Sequence, residues 1–238
     1  MLQTQIPTTY SNSIWGNRQA LLVQQNASVE DTGLLVNRVL QQRGYDVATV
    51  SPDACTKQNV LASIDSLVTG SKPDSRTLFY YTGHGFYDNG ATTILDSHPR
   101  GFRPQELFQA LGQIRGRKAV FLDACLSGEF VDYLAANAGK IIRNYVVLAA
   151  TSRDGLSLTA KWTIPPNTPH SSPLNGNISN LAYWLFAQHR DYGTVYLDKW
   201  SIDELVFNPQ EVAQKLTQGL PWKIRLEIQR TSDAPFDL

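Results

Sequence analysis

Cysteine and histidine are scarce in this chain of 238 residues. It contains two cysteines, Cys55 and Cys125, and four histidines. Two cysteines cannot build the disulfide framework of a small secreted protein, and no Cys-x-x-Cys pair is present to hold a structural zinc ion. This usage is typical of a reducing compartment, and we therefore expect the protein in the cytoplasm.

Net charge and long apolar runs are missing as well. Lys plus Arg and Asp plus Glu both number 21, so no overall charge would attract nucleic acid or an anionic membrane. No run approaches the roughly 18 consecutive apolar residues of a membrane helix, and the polar residues 1–20 do not resemble a signal peptide. We expect a protein that binds neither nucleic acid nor membrane.

What the chain does contain is a regular alternation of short apolar runs with segments of helical periodicity. Helices are predicted over 28–44, after a capping Thr56, and from Pro104. Strands separated by helices favour an α/β fold, with a mostly parallel sheet and helices on both faces. The predicted central strands are Ala20–Val23, Asp46–Val50, Thr77–Tyr81, Ala119–Leu122 and Tyr145–Ala149. The strictly alternating segment Lys223–Ile228 predicts an edge strand, which gives about six strands in all.

A proline-rich stretch interrupts this pattern between Lys161 and Asn177. Its four prolines and its Ser, Asn and Thr residues predict a long loop, which would be either a binding loop or a disordered insertion. The prediction is a single domain over residues 1–238, in which a loop (151–177) separates the regions 18–150 and 178–230.

Two of the predicted strands run directly into reactive side chains. One leads into His84, which lies between two glycines, and another leads into Cys125. Because the carboxyl ends of parallel strands meet at one edge of a sheet, both side chains are expected there. A thiol is mostly neutral near pH 7, so a nucleophilic cysteine needs a neighbouring imidazole. Taken singly, a turn histidine and an inert buried cysteine are the simpler interpretations. Their joint placement favours a catalytic pair, and Cys55 has no such context.

These two segments resemble the signature blocks of the caspase, metacaspase and paracaspase superfamily. They read Tyr-Thr-Gly-His84-Gly and Phe-Leu-Asp-Ala-Cys125-Leu-Ser-Gly. Residues 19–150 resemble the larger-subunit region of that superfamily, and 178–228 the smaller one. Caspases carry Gln where this chain has Asp123, and metacaspases usually carry His directly after the cysteine. The chain is thus similar to a divergent bacterial-type, orthocaspase-like member.

The resemblance implies a cysteine endopeptidase that works through a Cys–His dyad and a thioester acyl-enzyme. Cys125 would be the nucleophile and His84 the general acid and base. The backbone N–H groups of Gly85 and Cys125 would form the oxyanion hole. The substrate would be a protein or peptide, and a regulatory protein partner is compatible with the family. No cofactor is implied. Calcium activates many metacaspases, but the scattered acids here form no ligand loop, so no metal is predicted.

The resemblance also implies an acidic S1 pocket and cleavage after Arg or Lys. Asp123, two residues before the nucleophile, would be its main wall, because a carboxylate at a buried strand end needs a cationic partner or several donors. Thr82, Asp31 and Asp154 are the other candidates. Asp31 could instead close a capping box with Ser28, and Asp154 could simply belong to a turn.

Two other functions remain open at this stage. One is a catalytically silent caspase-like scaffold or regulatory partner, although both His84 and Cys125 are retained. The other is a nucleotide-binding α/β module, which would need a glycine-rich phosphate loop after the first strand. The chain has Gln-Gln-Asn-Ala27 at that point.

Overall fold

The computed structural model describes residues 17–42, 44–97, 99–137, 145–157, 159–164, 174–179, 181–182 and 227–230. Within these ranges the strands are β1 (Arg18–Gln24), β2 (Asp46–Val50), β3 (Arg76–Thr82), β4 (Gly85–Asp88), β5 (Ala91–Ile94), β6 (Arg117–Asp123), β7 (Tyr145–Ala149), β8 (Thr159–Ile164), β9 (Leu174–Ser179) and β10 (Glu227–Arg230). The α-helices of the same part are α1 (Glu30–Gln42), α2 (Lys57–Gly70), α3 (Pro104–Leu111) and α4 (Gly128–Asn137). None of these helices is both long and apolar enough to cross a membrane.

Six strands form one central sheet, in the order β10-β7-β6-β3-β1-β2. The strands from β7 to β2 are parallel to their neighbours, and β10 is antiparallel at the edge beside β7. The structure therefore confirms the predicted α/β fold with a mostly parallel sheet.

The four strands β1, β3, β6 and β7 are buried on both faces, as their unbroken apolar runs predict. On one face Phe79 and Tyr81 of β3 share a core with Ile64, Phe108 and Phe130 of the three helices α2, α3 and α4. On the opposite face α1 packs on β1 and β2. The carboxyl ends of the strands therefore lie between two helical layers.

The helices begin at the residues that the sequence indicates. The Thr56 side chain accepts a hydrogen bond from the Asn59 N–H at 3.2 Å and caps α2. Pro104 occupies the first turn of α3, where its missing N–H costs nothing. The start of the first helical segment differs from the prediction, because Asn26 rather than Ser28 caps the short 3₁₀ turn that precedes α1.

One local prediction needs correction. The segment predicted as a long loop is partly ordered, since Thr159–Ile164 pairs antiparallel with Leu174–Ser179. Its four prolines fall within 165–173, which lie outside the described residues. Of the predicted last strand, Glu227 and Ile228 belong to β10, and 223–226 lie outside the described residues.

The hairpin β4–β5 is absent from the sequence prediction altogether. Its turn has Asn89 at φ 51° and Gly90 at φ 81°, which is the type I′ geometry that an Asn-Gly pair favours. That dipeptide is the signal which could have revealed it.

Candidate active site

The turn after β3 lies directly against the segment after β6. A Cβ atom added at Gly85 would lie 1.8 Å from the carbonyl oxygen of Cys125 and 2.8 Å from its carbonyl carbon. Only glycine permits this approach, because real Cβ contacts below 3.0 Å essentially never occur. The backbone that carries His84 therefore runs beside the backbone of Cys125, at the carboxyl edge of the sheet.

Cys125 lies in a tight strand-to-helix turn between β6 and α4. The next residue, Leu126, has φ 60°, a left-handed conformation that leucine rarely adopts. Hydrogen bonds hold the turn: the Leu126 N–H donates to the Gly155 carbonyl at 2.8 Å, and the Ser127 hydroxyl donates to the Ala124 carbonyl at 2.8 Å. The turn leaves the Cys125 side chain partly exposed, whereas Ala124 is fully buried.

Ser157 covers the thiol. Its backbone N–H lies 3.3 Å from Cys125 Sγ, and its carbonyl oxygen lies 3.7 Å from the same sulfur. The Ser157 hydroxyl donates to Asp123 Oδ1 at 3.1 Å. The segment after β7 thus contacts both the proposed nucleophile and the proposed pocket acid.

The Gly85 N–H takes no part in the β4–β5 ladder. The pair Asp88–Ala91 flanks the two-residue turn and is hydrogen-bonded. Hydrogen-bonded and non-hydrogen-bonded pairs alternate along antiparallel strands, so the pair Gly85–Ile94, three positions further on, is not hydrogen-bonded. Ile94 instead exchanges its hydrogen bonds with Phe102, at 3.0 and 2.9 Å. A backbone donor therefore remains beside Cys125 that the sheet does not use.

Asp123 is buried at the end of β6, with 2% of its surface exposed. Its carboxylate accepts hydrogen bonds from the hydroxyls of Tyr80 at 2.9 Å, of Ser157 at 3.1 Å and of Ser179. Burial raises the pKa of the Asp123 carboxyl above its ordinary value, and these three donors partly oppose the rise. The carboxylate has polar partners but no cationic partner among the described residues.

The other predicted pocket residues divide into near and distant ones. Thr82 is the register partner of Asp123 on the adjacent strand, and its buried hydroxyl oxygen has no hydrogen-bond partner among the described residues. Asp31 accepts a hydrogen bond from the Asn177 N–H at 2.8 Å, two residues along β9 from the Ser179 that contacts Asp123. It makes this bond in place of the capping box that was its simpler interpretation. Asp154 is exposed in the turn 152–155.

The sequence interpretation missed three residues that surround Asp123. Tyr80 could have been found, because it precedes Thr82 by two positions and so faces the same side of β3. Ser157 and Ser179 gave no signal, since Ser157 lies within the segment predicted as a loop (151–177) and Ser179 follows that segment. Among the described residues no three His, Cys, Asp or Glu side chains are grouped as a metal site.

Comparison with known proteins agrees with this arrangement. The family model described as the caspase domain matches residues 20–183. No curated protein sequence gives a significant match. Among solved structures, protein GSU0716 from Geobacter sulfurreducens is 14% identical with a TM-score of 0.55, over 91% of this chain and 95% of that one.

Two further solved structures are similar to the same degree. Caspase-1 from Spodoptera frugiperda is 15% identical with a TM-score of 0.54, over 93% of this chain and 89% of its own. The drICE structure is 15% identical with a TM-score of 0.52, over 93% of this chain and 91% of its own. At such identities the likeness shows the fold alone. The family match covers most of the chain, and the protein therefore belongs to the caspase-domain family of cysteine peptidases.

Proposed function

We propose that the protein is a cysteine endopeptidase that cleaves its substrates after Arg, and also after Lys, with Cys125 and His84 as its catalytic dyad. The observation that carries this proposal is the direct approach of Gly85 to the backbone of Cys125. It brings a histidine-bearing turn, a cysteine and a backbone donor that the β4–β5 ladder does not use to one edge of the sheet.

The reaction would proceed in two balanced steps. The Cys125 thiolate attacks the carbonyl carbon of the scissile peptide, and His84 donates a proton to the departing amine as the C–N bond breaks. A thioester joins the acyl half of the substrate to Cys125. Water, deprotonated by His84, then attacks the thioester and releases the new carboxylate and the free thiol.

Backbone donors would stabilise the tetrahedral oxyanion of both steps. The Gly85 N–H is unused by the β4–β5 ladder and lies beside Cys125, so it supports the assignment of Gly85 and Cys125 to the oxyanion hole. Preorganised donors of this kind typically contribute a factor of about 10²–10³ each to kcat.

The preference for basic residues follows from Asp123. A buried carboxylate held only by neutral hydroxyls gains from a guanidinium or ammonium group, which would favour its charged form. The neighbouring Thr82 hydroxyl adds an acceptor. Asp31 adds a second carboxylate, because it is bonded to Asn177 on β9, the strand whose Ser179 contacts Asp123. Arg should exceed Lys, because a planar guanidinium can engage two such groups at once. For Asp154 the only support is its position on the segment that carries Ser157.

Matched peptides that differ only at P1 test this function. We expect kcat/KM to decrease in the order Arg, Lys, Leu, Asp, and to vanish in Cys125→Ala and in His84→Ala. A preference for Leu or Asp would refute the pocket assignment and leave the dyad in place. An intact, folded protein that cleaves no peptide in a broad library would instead support a silent scaffold.

A further inference from the structure

The backbone of His84 is held by side chains that come from two other parts of the chain. Its N–H donates to Gln25 Oε1 at 3.2 Å, and its carbonyl oxygen accepts a hydrogen bond from the Tyr81 hydroxyl at 2.8 Å. The two backbone polar groups of His84, which belong to the peptide units on either side of it, are therefore both satisfied by side chains. Side chains seldom hold both groups, because most backbone hydrogen bonds are made within secondary structure.

A fourth residue closes these contacts into a ring. The Leu95 N–H donates to the Tyr81 hydroxyl at 2.9 Å, and the Leu95 carbonyl accepts from Gln25 Nε2 at 3.3 Å. The ring thus runs from His84 to Gln25, Leu95, Tyr81 and back to His84. Leu95 has φ 81°, a conformation that is unfavourable for leucine and persists only where the surroundings hold it.

The two side chains of the ring are themselves fixed. Tyr81 is 1% exposed in the core below β3, so its hydroxyl has one accessible position. Gln25 follows β1, where its own N–H donates to the Thr82 carbonyl at 3.0 Å, and the Asn26 side chain donates to its Oε1 at 2.6 Å. A Cβ atom at Gly83 would lie 2.4 Å from Gln25 Cβ and 2.8 Å from the Tyr81 hydroxyl, so glycine is required where the chain passes through the ring.

We propose that Gln25 and Tyr81 are positioning residues, which fix the His84 imidazole and the adjacent Gly85 N–H relative to Cys125. This inference rests on the proposed Cys–His dyad. His84 is exposed, and within the described ranges its imidazole has one aromatic contact, an edge contact with Phe86 at 6.0 Å between centroids. The side chain has little packing to orient it, so the orientation of its backbone decides where the imidazole can reach. The Gly85 N–H, the proposed oxyanion donor, belongs to the same peptide unit as the His84 carbonyl that Tyr81 holds. The hydrogen-bonded ring therefore sets both groups.

The test compares two tyrosine-to-phenylalanine variants, each of which removes one hydroxyl group from a buried tyrosine. Tyr81→Phe breaks the ring, whereas Tyr145→Phe removes a hydroxyl that donates to the Phe108 carbonyl at 3.4 Å in the core. Gln25→Ala opens the ring from its exposed side, and Gln25→Glu keeps the acceptor for the His84 N–H but loses the donor to Leu95. The Gln25 variants keep the proposal testable if Tyr81→Phe folds poorly.

The first readout needs no substrate. The pH profile of Cys125 carbamidomethylation by iodoacetamide is measured by peptide mapping, which separates Cys125 from Cys55. In Tyr81→Phe and Gln25→Ala we expect the pH profile of Cys125 modification to move towards that of His84→Ala. The profile of Gln25→Glu should lie between those of these two variants and that of the wild type. Tyr145→Phe should keep the wild-type profile.

The second readout is turnover of an arginine peptide. We expect kcat to decrease on the order of 10- to 100-fold in Tyr81→Phe and Gln25→Ala with KM nearly unchanged, since a displacement of about 1 Å has effects of this size. Wild-type profiles and kcat in both variants, or equal losses in Tyr145→Phe, would overturn the proposal. If His84→Ala itself retains the wild-type profile, the dyad is wrong. If arginine peptides are not cleaved but the profiles shift as expected, only the substrate preference fails.

Discussion

Gly85 and Cys125 are in contact through their backbones, with space for a hydrogen atom and nothing larger. A methyl group at position 85 would lie 1.8 Å from the Cys125 carbonyl oxygen, which is backbone and cannot rotate away. The turn that carries His84 and the turn that carries Cys125 are therefore interlocked, and any side chain at position 85 must separate them.

Gly85→Ala should consequently lower kcat/KM for peptide cleavage by about 100-fold. The two turns would move apart by the order of an ångström, and a misplacement of that size typically lowers the rate about 100-fold. Steady-state kinetics on an arginine peptide measures the effect. The matched control is Gly70→Ala at the end of α2, where the new methyl group would meet Gln19 Oε1 at an ordinary 3.5 Å. If Gly85→Ala turned over like Gly70→Ala, the juxtaposition would have no catalytic meaning.

We expect the buried Asp123 carboxyl to serve function while lowering the free energy of unfolding at neutral pH. Burial raises the pKa of its carboxyl. At pH values just above the ordinary carboxyl pKa, the carboxyl is therefore still protonated in the folded state but already ionised in the unfolded state. The free energy of unfolding therefore falls as pH rises through the raised pKa. Asn resembles the protonated carboxyl and removes this fall.

Asp123→Asn is thus expected to have an equal or higher Tm than wild type at pH 7, while kcat/KM for the arginine peptide drops about 30-fold or more. Thermal melts at several pH values and P1-matched kinetics measure both quantities. Asp65→Asn, on the exposed side of α2, is the control and should change neither. A destabilised Asp123→Asn variant that retained the arginine preference would contradict the assignment.

The sheet could be predicted from the sequence, because buried parallel strands are unbroken apolar runs. Tyr145–Ala149 is an example whose predicted and observed bounds coincide. The positions of His84 and Cys125 at strand ends could be inferred for the same reason. Two of the three hydroxyls around Asp123 could not, since Ser157 and Ser179 reach it from segments far away along the chain. Local periodicity carries no information about such contacts. The hydrogen-bonded ring of His84, Gln25, Leu95 and Tyr81 could not be predicted either, because these residues come together only when β1 and β3 pair in the folded sheet.

Lys118 gives a prediction about stability away from the site. It is buried at the start of β6, where its ammonium donates to the carbonyls of Ile114 at 2.8 Å and Gly116 at 3.0 Å. Burial lowers the pKa of Lys118 to about 8. Above that pH the unfolded state holds a proton that the folded state has lost, so the free energy of unfolding rises with pH.

Lys118→Met should make the slope of the free energy of unfolding against pH less positive between about pH 8 and 9.5. The partly buried Cys55 thiol, whose pKa burial raises to about 12, gives the opposite slope in this range but is common to both proteins. Urea denaturation at intervals of pH measures the slope. Lys72→Met removes a charge from an exposed lysine and should keep the wild-type slope. Parallel curves for wild type and Lys118→Met would show that Lys118 keeps its ordinary pKa.

Ser157 should limit access to the nucleophile. Its hydroxyl bond to Asp123 holds the segment whose N–H lies 3.3 Å from Cys125 Sγ. A hydrogen bond of this kind contributes about 1 kcal/mol, so its loss in Ser157→Ala should accelerate iodoacetamide modification of Cys125 about fivefold. Ser152→Ala alters the same segment without touching Asp123 and is the control. Equal rates in all three proteins would show that Ser157 does not restrict the thiol.

The most direct test of the proposed activity is covalent labelling with a thiol-reactive peptide ketone that carries Arg at P1, followed by mass spectrometry of the intact and digested protein. The account predicts one adduct, on Cys125, which is absent in Cys125→Ala, much slower in His84→Ala, and weak with the matching Leu ketone. An adduct on Cys55, labelling that persists in Cys125→Ala, or equal labelling by the Leu ketone would contradict it.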